Sequence, residues 1–477
     1  MEKTASVYGL VFVLALGGAI TMGTAHAQSA TRNRSSVEAL TCSPAPCVLP
    51  PTQVSEGGAL VNTPSIAADP LNPGHLVLGA NDGNCPLNTG SLAAYTSSDG
   101  GSAWGPPFCM PNINDGPLFH SSIDPSVAYD RNGVAYVAGP YYHTMGTNVT
   151  GFVAFSKSSD GTNWSQPAVA LQVAKSFVAY SWLAVDTNLG SPHFNSLYIS
   201  AVAIGPPGVQ SEDEVVVAHS SDGGATWRQA AVGAVQISPA GDNFTVLGVG
   251  RDGTVYLTWL YCPGSGLDAN CKNNRAYMLF SKSADGGDAW STPIVLAIVT
   301  LPFGALPNSK VRVYNYPAIG VDNSSGPHSG SLYVAMYNWT GTYLRVQVVH
   351  STDGGNIWSK PVPVAPPSDT HDQFFPWLSV SPTGLVGVSW LDRRNDPANI
   401  DYQAFAAISN DGGRSFQPDV QLTTAFSNPN VNGYTDNLWM GDYTGNTWDG
   451  PNYFIAAWMD SSNAVDMQAV VGGIRLK

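Results

Sequence analysis

Two short stretches carry side chains that could move protons at one point. His371-Asp372 and Gly433-Tyr-Thr-Asp-Asn437 set a histidine, a tyrosine and two carboxyls beside apolar runs. A carboxylate pair such as Asp372 with Asp436 suits acid and base work on a glycosidic bond. His371 or His120 with Tyr434 suits proton abstraction and β-elimination instead. A third stretch, Leu391-Asp-Arg-Arg-Asn-Asp-Pro397, holds Arg393 and Arg394 beside Asp392 and Asp396. A guanidinium there binds an anionic or hydroxyl-rich ligand, or joins its neighbours in a structural ion-pair network. Tyr142, Tyr316 and Trp339 add rings, the mixture a sugar or small-ligand cleft requires.

What must position these residues is a repeat. Five octapeptides, Ser97–Trp104, Ser220–Trp227, Ser283–Trp290, Ser351–Trp358 and Ser409–Phe416, share a Ser-x-Asp-Gly-Gly core, and a copy one residue short spans Ser158–Trp164. Their aspartates, Asp99, Asp160, Asp222, Asp285, Asp353 and Asp411, lie 58 to 68 residues apart. A fixed long period means one supersecondary unit repeated. Six acids at equivalent places are turn devices: the carboxylate accepts backbone amides, glycine supplies positive φ, and the closing ring packs between sheets.

Upstream of each octapeptide lie two short β-branched or aromatic runs bounded by turn residues, which read as strands. The first runs are Pro64–Asp69, Pro125–Asp130, Trp182–Asp186, Phe244–Val249, Pro317–Asp322, Pro376–Val380 and Leu438–Asp442. Seven inner strands against six octapeptides predict an all-β, seven-bladed β-propeller whose last blade borrows a strand from the N-terminal segment around Val54 to Val61. Six blades with an irregular C-terminal extension is the alternative. The octapeptides then lie on one face. The loops entering each first strand and those linking second to third strands, with the candidate residues above, lie on the other.

The octapeptides resemble Asp-box (BNR) repeats, and from about residue 60 to residue 477 the chain is similar to the sialidase-like propeller superfamily. The resemblance implies a carbohydrate or glycoconjugate ligand at the channel mouth. It does not imply an enzyme, because Asp boxes also occur in receptors and non-catalytic modules. Sialidases grip a carboxylate with three arginines, the first in an Arg-Ile-Pro motif before the first box. Here no Arg or Lys occurs between Arg34 and Asp99, so the triad is not carried over. The readings left open are a glycoside hydrolase-like enzyme, a non-catalytic glycan- or protein-binding propeller, and, with less support, an exo-sialidase or polysaccharide lyase.

Composition limits the remainder. Among 477 residues only 11% are charged, with 50 Gly and 35 Pro, as in a turn-rich β-protein. A net charge of −14 disfavours nucleic acid and anionic membranes as partners, and a monomer is expected. Lys3, the apolar Val7–Ile20 run and Ala25-His26-Ala27 read as a signal peptide over 1–27. An N-terminal segment over 28–53 and a propeller over 54–477 follow, in a secreted or periplasmic protein. Six cysteines suit that compartment, and proximity pairs Cys42 with Cys47, Cys85 with Cys109, and Cys262 with Cys271. No zinc spacing, nucleophile elbow or phosphate loop occurs, so no cofactor is expected, although loops such as Asn81-Asp-Gly83 could hold structural Ca²⁺.

Overall fold

The computed structural model describes residues 46–86, 88–146, 148–205, 212–264, 271–302, 305–432 and 439–476. Its strands are the short apolar runs of the sequence, gathered into seven antiparallel sheets of at least four strands each. The first blade shows the plan: Val61–Ala68, Leu76–Asp82, Thr89–Ser97 and Phe108–Pro111 pair in chain order. The first strands of the other blades are Ser126–Tyr129, Phe177–Val185, Gly241–Val249, Ala318–Val321, Gln373–Val380 and Gly445–Asp449. Each packs against the first strand of the next blade, and Gly445–Asp449 closes the circle against Val61–Ala68. This is the seven-bladed β-propeller expected. No helix among the described residues is long and apolar enough to cross a membrane.

Two strands lie elsewhere than the sequence suggested. The strand that completes the last blade is Cys47–Gln53, antiparallel to Gln468–Arg475, and Val61 already begins blade 1. Prolines 50 and 51 disguised it, although an outermost strand tolerates proline because its outer N–H groups need no partner. The first strand of blade 7 is Gly445–Asp449, not Leu438–Asp442. The apolar letters Trp439 and Met440 belong to the approach to that strand.

The repeated turns join third and fourth strands. In all six the serine hydroxyl lies 2.7–3.1 Å from the aspartate carboxylate. The same hydroxyl accepts a glycine amide, as from Gly101 and Gly355 at 3.0 Å. The Thr226 hydroxyl and amide, with the Ser220 hydroxyl, hold Asp222 down to about 2. Each of these carboxylates is bound to its own turn. Trp104, Trp227, Trp290 and Trp358 each donate their indole N–H to a turn glycine carbonyl and pack against the blade cores.

Disulfides Cys85–Cys109 and Cys262–Cys271 join the expected partners, with Cα atoms 5.6 and 4.9 Å apart. The Cys42–Cys47 pairing and residues 1–45 lie outside the described residues.

Candidate functional site

Each first strand ends at a matching position, and four of the aspartates found there cap the turn that follows. Asp69, Asp130, Asp186 and Asp322 accept the amide two residues on at 2.8–3.0 Å. Asp449 of blade 7 instead accepts the Gly74 amide of the neighbouring blade at 3.0 Å. Six residues before these aspartates, and at the matching places before Gly250 and Ser381, stand Thr63, Asp124, Tyr180, Phe244, Tyr316, Phe375 and Tyr443. One residue per blade thus forms a ring at the channel end where the first strands enter.

Five ring members are in the left-handed region: Thr63 at φ 53°, Asp124 at 66°, Tyr180 at 55°, Phe244 at 59° and Phe375 at 48°. β-Branched and aromatic residues avoid this conformation, at about 1–2 kcal/mol each. Four sit in register shifts of the first two strands, at Asn62/Ser65, Ala179/Trp182, Asn243/Val246 and Phe374/Trp377. Hydroxyls of the next blade take up freed carbonyls, Thr245 on Tyr180 at 2.7 Å and Thr444 on Phe375 at 2.8 Å. Strain repeated at one level of a fold points to a site.

The bulges bring rings together. Phe244 lies 4.9 Å from Tyr180 and 4.7 Å from Tyr316, and Tyr316 lies 5.0 Å from Tyr443. Trp182 of blade 3 meets Trp377 of blade 6 at 4.5 Å, and both contact Tyr443. Aromatic side chains therefore fill the channel at this level.

Against this floor, two carboxyls meet. Asp124 of blade 2 shares a hydrogen bond with Asp442, the residue before the ring position of blade 7. Each is 1% exposed. Burial, then the charge of Asp442 and the bond to it, raise Asp124 well above the carboxylate range, against the opposing pull of Arg312. The pair thus keeps a proton. Trp439 Nε1 donates to Asp442, whose amide donates to Thr63 Oγ1 at 3.1 Å. Burial and both carboxyls also raise the Tyr316 hydroxyl, so it stays protonated. That hydroxyl and Asp124 Oδ1 are buried without a hydrogen-bond partner.

The residues named from sequence fall into three groups. Tyr316 is in the ring. Tyr434 and Asp436 lie outside the described residues. The others make contacts of their own. Asp372 is fully buried and accepts the Leu344 amide at 2.9 Å, Asn399 Nδ2 at 2.7 Å and Arg393 Nη1 at 3.3 Å. Arg393, also at 0% exposure, donates to the Pro307 carbonyl at 2.6 Å. Arg394 is bound by Asp369 at 3.0 Å, Asp392 at 2.6 Å and Asp419 at 2.5 Å. This is an ion-pair network of blade 6, the structural alternative that the sequence left open for Arg393 and Arg394. His371 leans on Asp369 at 3.4 Å. His120 and Tyr142 face each other on paired strands, ring centroids 6.1 Å apart, and Trp339 is half-buried at the end of a blade 5 strand.

Asp124, Asp442, Arg312 and Thr63 were missed. The spacing to the capping aspartate marks Thr63 and Asp124, yet Asp124-Pro125 reads as an ordinary turn. Among the described residues no three His, Cys, Asp or Glu side chains converge to hold a metal. Asn81 donates to Asn62 at 2.8 Å, and Asp82 accepts the Tyr95 hydroxyl.

No family model matches the chain, and no curated protein matches it. Solved structures do. A polysaccharide lyase named as an ulvan lyase is 15% identical, covering 87% of this chain and 94% of its own at a TM-score of 0.50. A protein of unknown function from Dyadobacter fermentans DSM 18053 is 12% identical over 91% of this chain and 100% of its own, at 0.48. An α-L-arabinanase from Penicillium chrysogenum is 15% identical over 74% and 92%, at 0.46. At these identities the likeness is one of fold: the chain shares the β-propeller architecture.

Proposed function

We propose that the protein is an exported propeller that cleaves glycosidic bonds at the channel mouth, with Asp124 and Asp442 handling the protons. The observation that carries this reading is the buried carboxyl pair set against an aromatic floor. The protonated member donates to the leaving oxygen, and the ionised member takes a proton from the attacking water. Because the two touch, they act as one proton-holding unit, unlike the separated carboxyls of common retaining and inverting glycosidases. Tyr316, kept protonated, donates a hydrogen bond to the sugar and does not attack it. The signal-like start and two disulfides support export.

The test is a panel of plant and animal polysaccharides and glycoconjugates, read by new reducing ends and by the ultraviolet absorbance of unsaturated sugars. Reducing ends without absorbance, lost in Asp124→Asn and Asp442→Asn, are the expected result. Absorbance would replace hydrolysis by elimination, and full activity in both variants would remove the pair from the mechanism. The filled channel at Trp182 and Trp377 favours a second reading, a non-catalytic glycan-binding propeller. Saturable binding with no product from any substrate would select it.

A further inference from the structure

The repeated turns also join the blades. The residue before a turn's serine reaches the turn of the next blade. Thr96 Oγ1 donates to the Gly161 carbonyl at 2.9 Å, Lys157 Nζ to that of Gly223 at 2.8 Å, and Lys282 Nζ to that of Gly354 at 2.9 Å. His219 holds the same position at the seam of blades 3 and 4, with Nε2 3.1 Å from Asp288. His350 holds it at the seam of blades 5 and 6. There an added Cβ on Gly413 would lie 3.9 Å from the Cβ of His350, and one on Gly412 would lie 2.7 Å from His328 Nδ1. His350 Nδ1 is buried without a hydrogen-bond partner.

The surroundings of His350 disfavour a second charge. Burial first, then the Arg414 guanidinium, hold it below the ordinary histidine value; Asp411 pulls the other way, and His328 opposes a proton too. Tyr333, its cross-strand partner, stays neutral because burial raises its hydroxyl to about 12. Asp353 and His350 both line a solvent-open cavity of about 250 Å³, which gives water a path to the ring. The two carboxylates are taken up by their own turns. Asp411 accepts the Arg414 and Ser415 amides at 3.0 and 2.9 Å, and Asp353 those of Asn356 and Ile357 at 3.0 and 2.9 Å. His219, by contrast, has the Asp288 carboxylate beside it to meet a charge. The blade 6 turn also lacks a brace. It closes on Phe416, which has no indole N–H to give a turn glycine, as Trp104, Trp227, Trp290 and Trp358 do.

We infer that the seam of blades 5 and 6 is an acid-sensitive joint: a proton on His350 places a positive charge beside Arg414 and His328 and loosens the turn Ser409–Phe416, while the lysine- and threonine-held turns stay closed. The folded seam binds that proton less readily than the unfolded chain does. Its contribution to stability is therefore full above about pH 6.5 and is lost as pH falls through the lowered histidine value. The joint is independent of the glycan reading.

Hydrogen exchange of the full-length protein, read by mass spectrometry at about pH 8 and about pH 5, compares the turns within one molecule. After correction for the intrinsic pH dependence of exchange, residues 411–416 should lose protection several-fold at the lower pH, and residues 160–164, 222–227 and 353–358 should not. His350→Gln should abolish the loss, and melting curves identify any variant that fails to fold. His350→Lys combined with Arg414→Asn copies the seam of blades 4 and 5, where Lys282 Nζ lies 3.3 Å from Asn356 Oδ1. That double variant should keep the turn protected at both pH values. An equal loss in the lysine-held turns would overturn the inference. So would an unchanged loss in folded His350→Gln, or no loss over residues 411–416 in the parent protein.

Discussion

Tyr443 of the last blade passes over blade 1 and donates a 2.6 Å hydrogen bond to the carbonyl of Pro125 in blade 2. The Ser65 hydroxyl of blade 1 reaches the same carbonyl at 2.9 Å. Three blades are thus tied at the residue that follows Asp124. The floor of the site and the closure of the propeller are one structure. Tyr443→Phe should lower the melting temperature, because it leaves a buried carbonyl with one partner fewer, at about 1 kcal/mol. It should also lower activity by displacing Asp124, whereas a surface tyrosine changed in the same way would alter neither.

The blade 6 network separates structure from chemistry. Arg393→Met leaves Asp372 buried without its cation and should cost about 3–5 kcal/mol, measured by denaturant unfolding. The activity of the fraction still folded should match the parent. A catalytic loss with unchanged stability would return these residues to the site.

Stability should depend on pH through two further buried carboxyls. Burial raises Asp213 to about 7, and Asp242, buried beside it, also to about 7. A carboxyl raised in the folded state binds more protons folded than unfolded. Its contribution is therefore full below about pH 4 and falls as pH rises through about 7. Asp213→Asn should raise the melting temperature at pH 8 and change it little at pH 4. Equal shifts at both values would show that ionisation is not the cause.

The repeated turns make a sharper demand. Gly355 has φ +85°, and an added Cβ would lie 2.3 Å from the Phe280 ring of the previous blade. Gly355→Ala should cost about 2 kcal/mol or more from strain and overpacking, without changing activity per folded molecule.

How much of this was legible in the sequence differs between scaffold and site. The octapeptides and paired apolar runs were enough for seven blades, because turn chemistry and alternation are local. The closing strand Cys47–Gln53 was hidden by two prolines that only an edge position excuses. The site was harder to see because left-handed bulges direct the ring residues, and φ at a threonine or phenylalanine is set by neighbouring blades. Arg393 and Arg394 looked functional because arginine is scarce here. Three of the acids that bind Arg394 or Arg393 came from chain positions no local motif connects: Asp369, Asp372 and Asp419.

The most direct test of the central claim compares Asp124→Asn, Asp442→Asn and Asp372→Asn on whichever glycan the parent protein cleaves. Initial rates should fall about 100-fold or more in the first two, the usual worth of a positioned acid or base. The third should lose stability and keep its rate per folded molecule. Full rates in Asp124→Asn and Asp442→Asn, with loss confined to Asp372→Asn, would contradict the assignment and move the chemistry to blade 6.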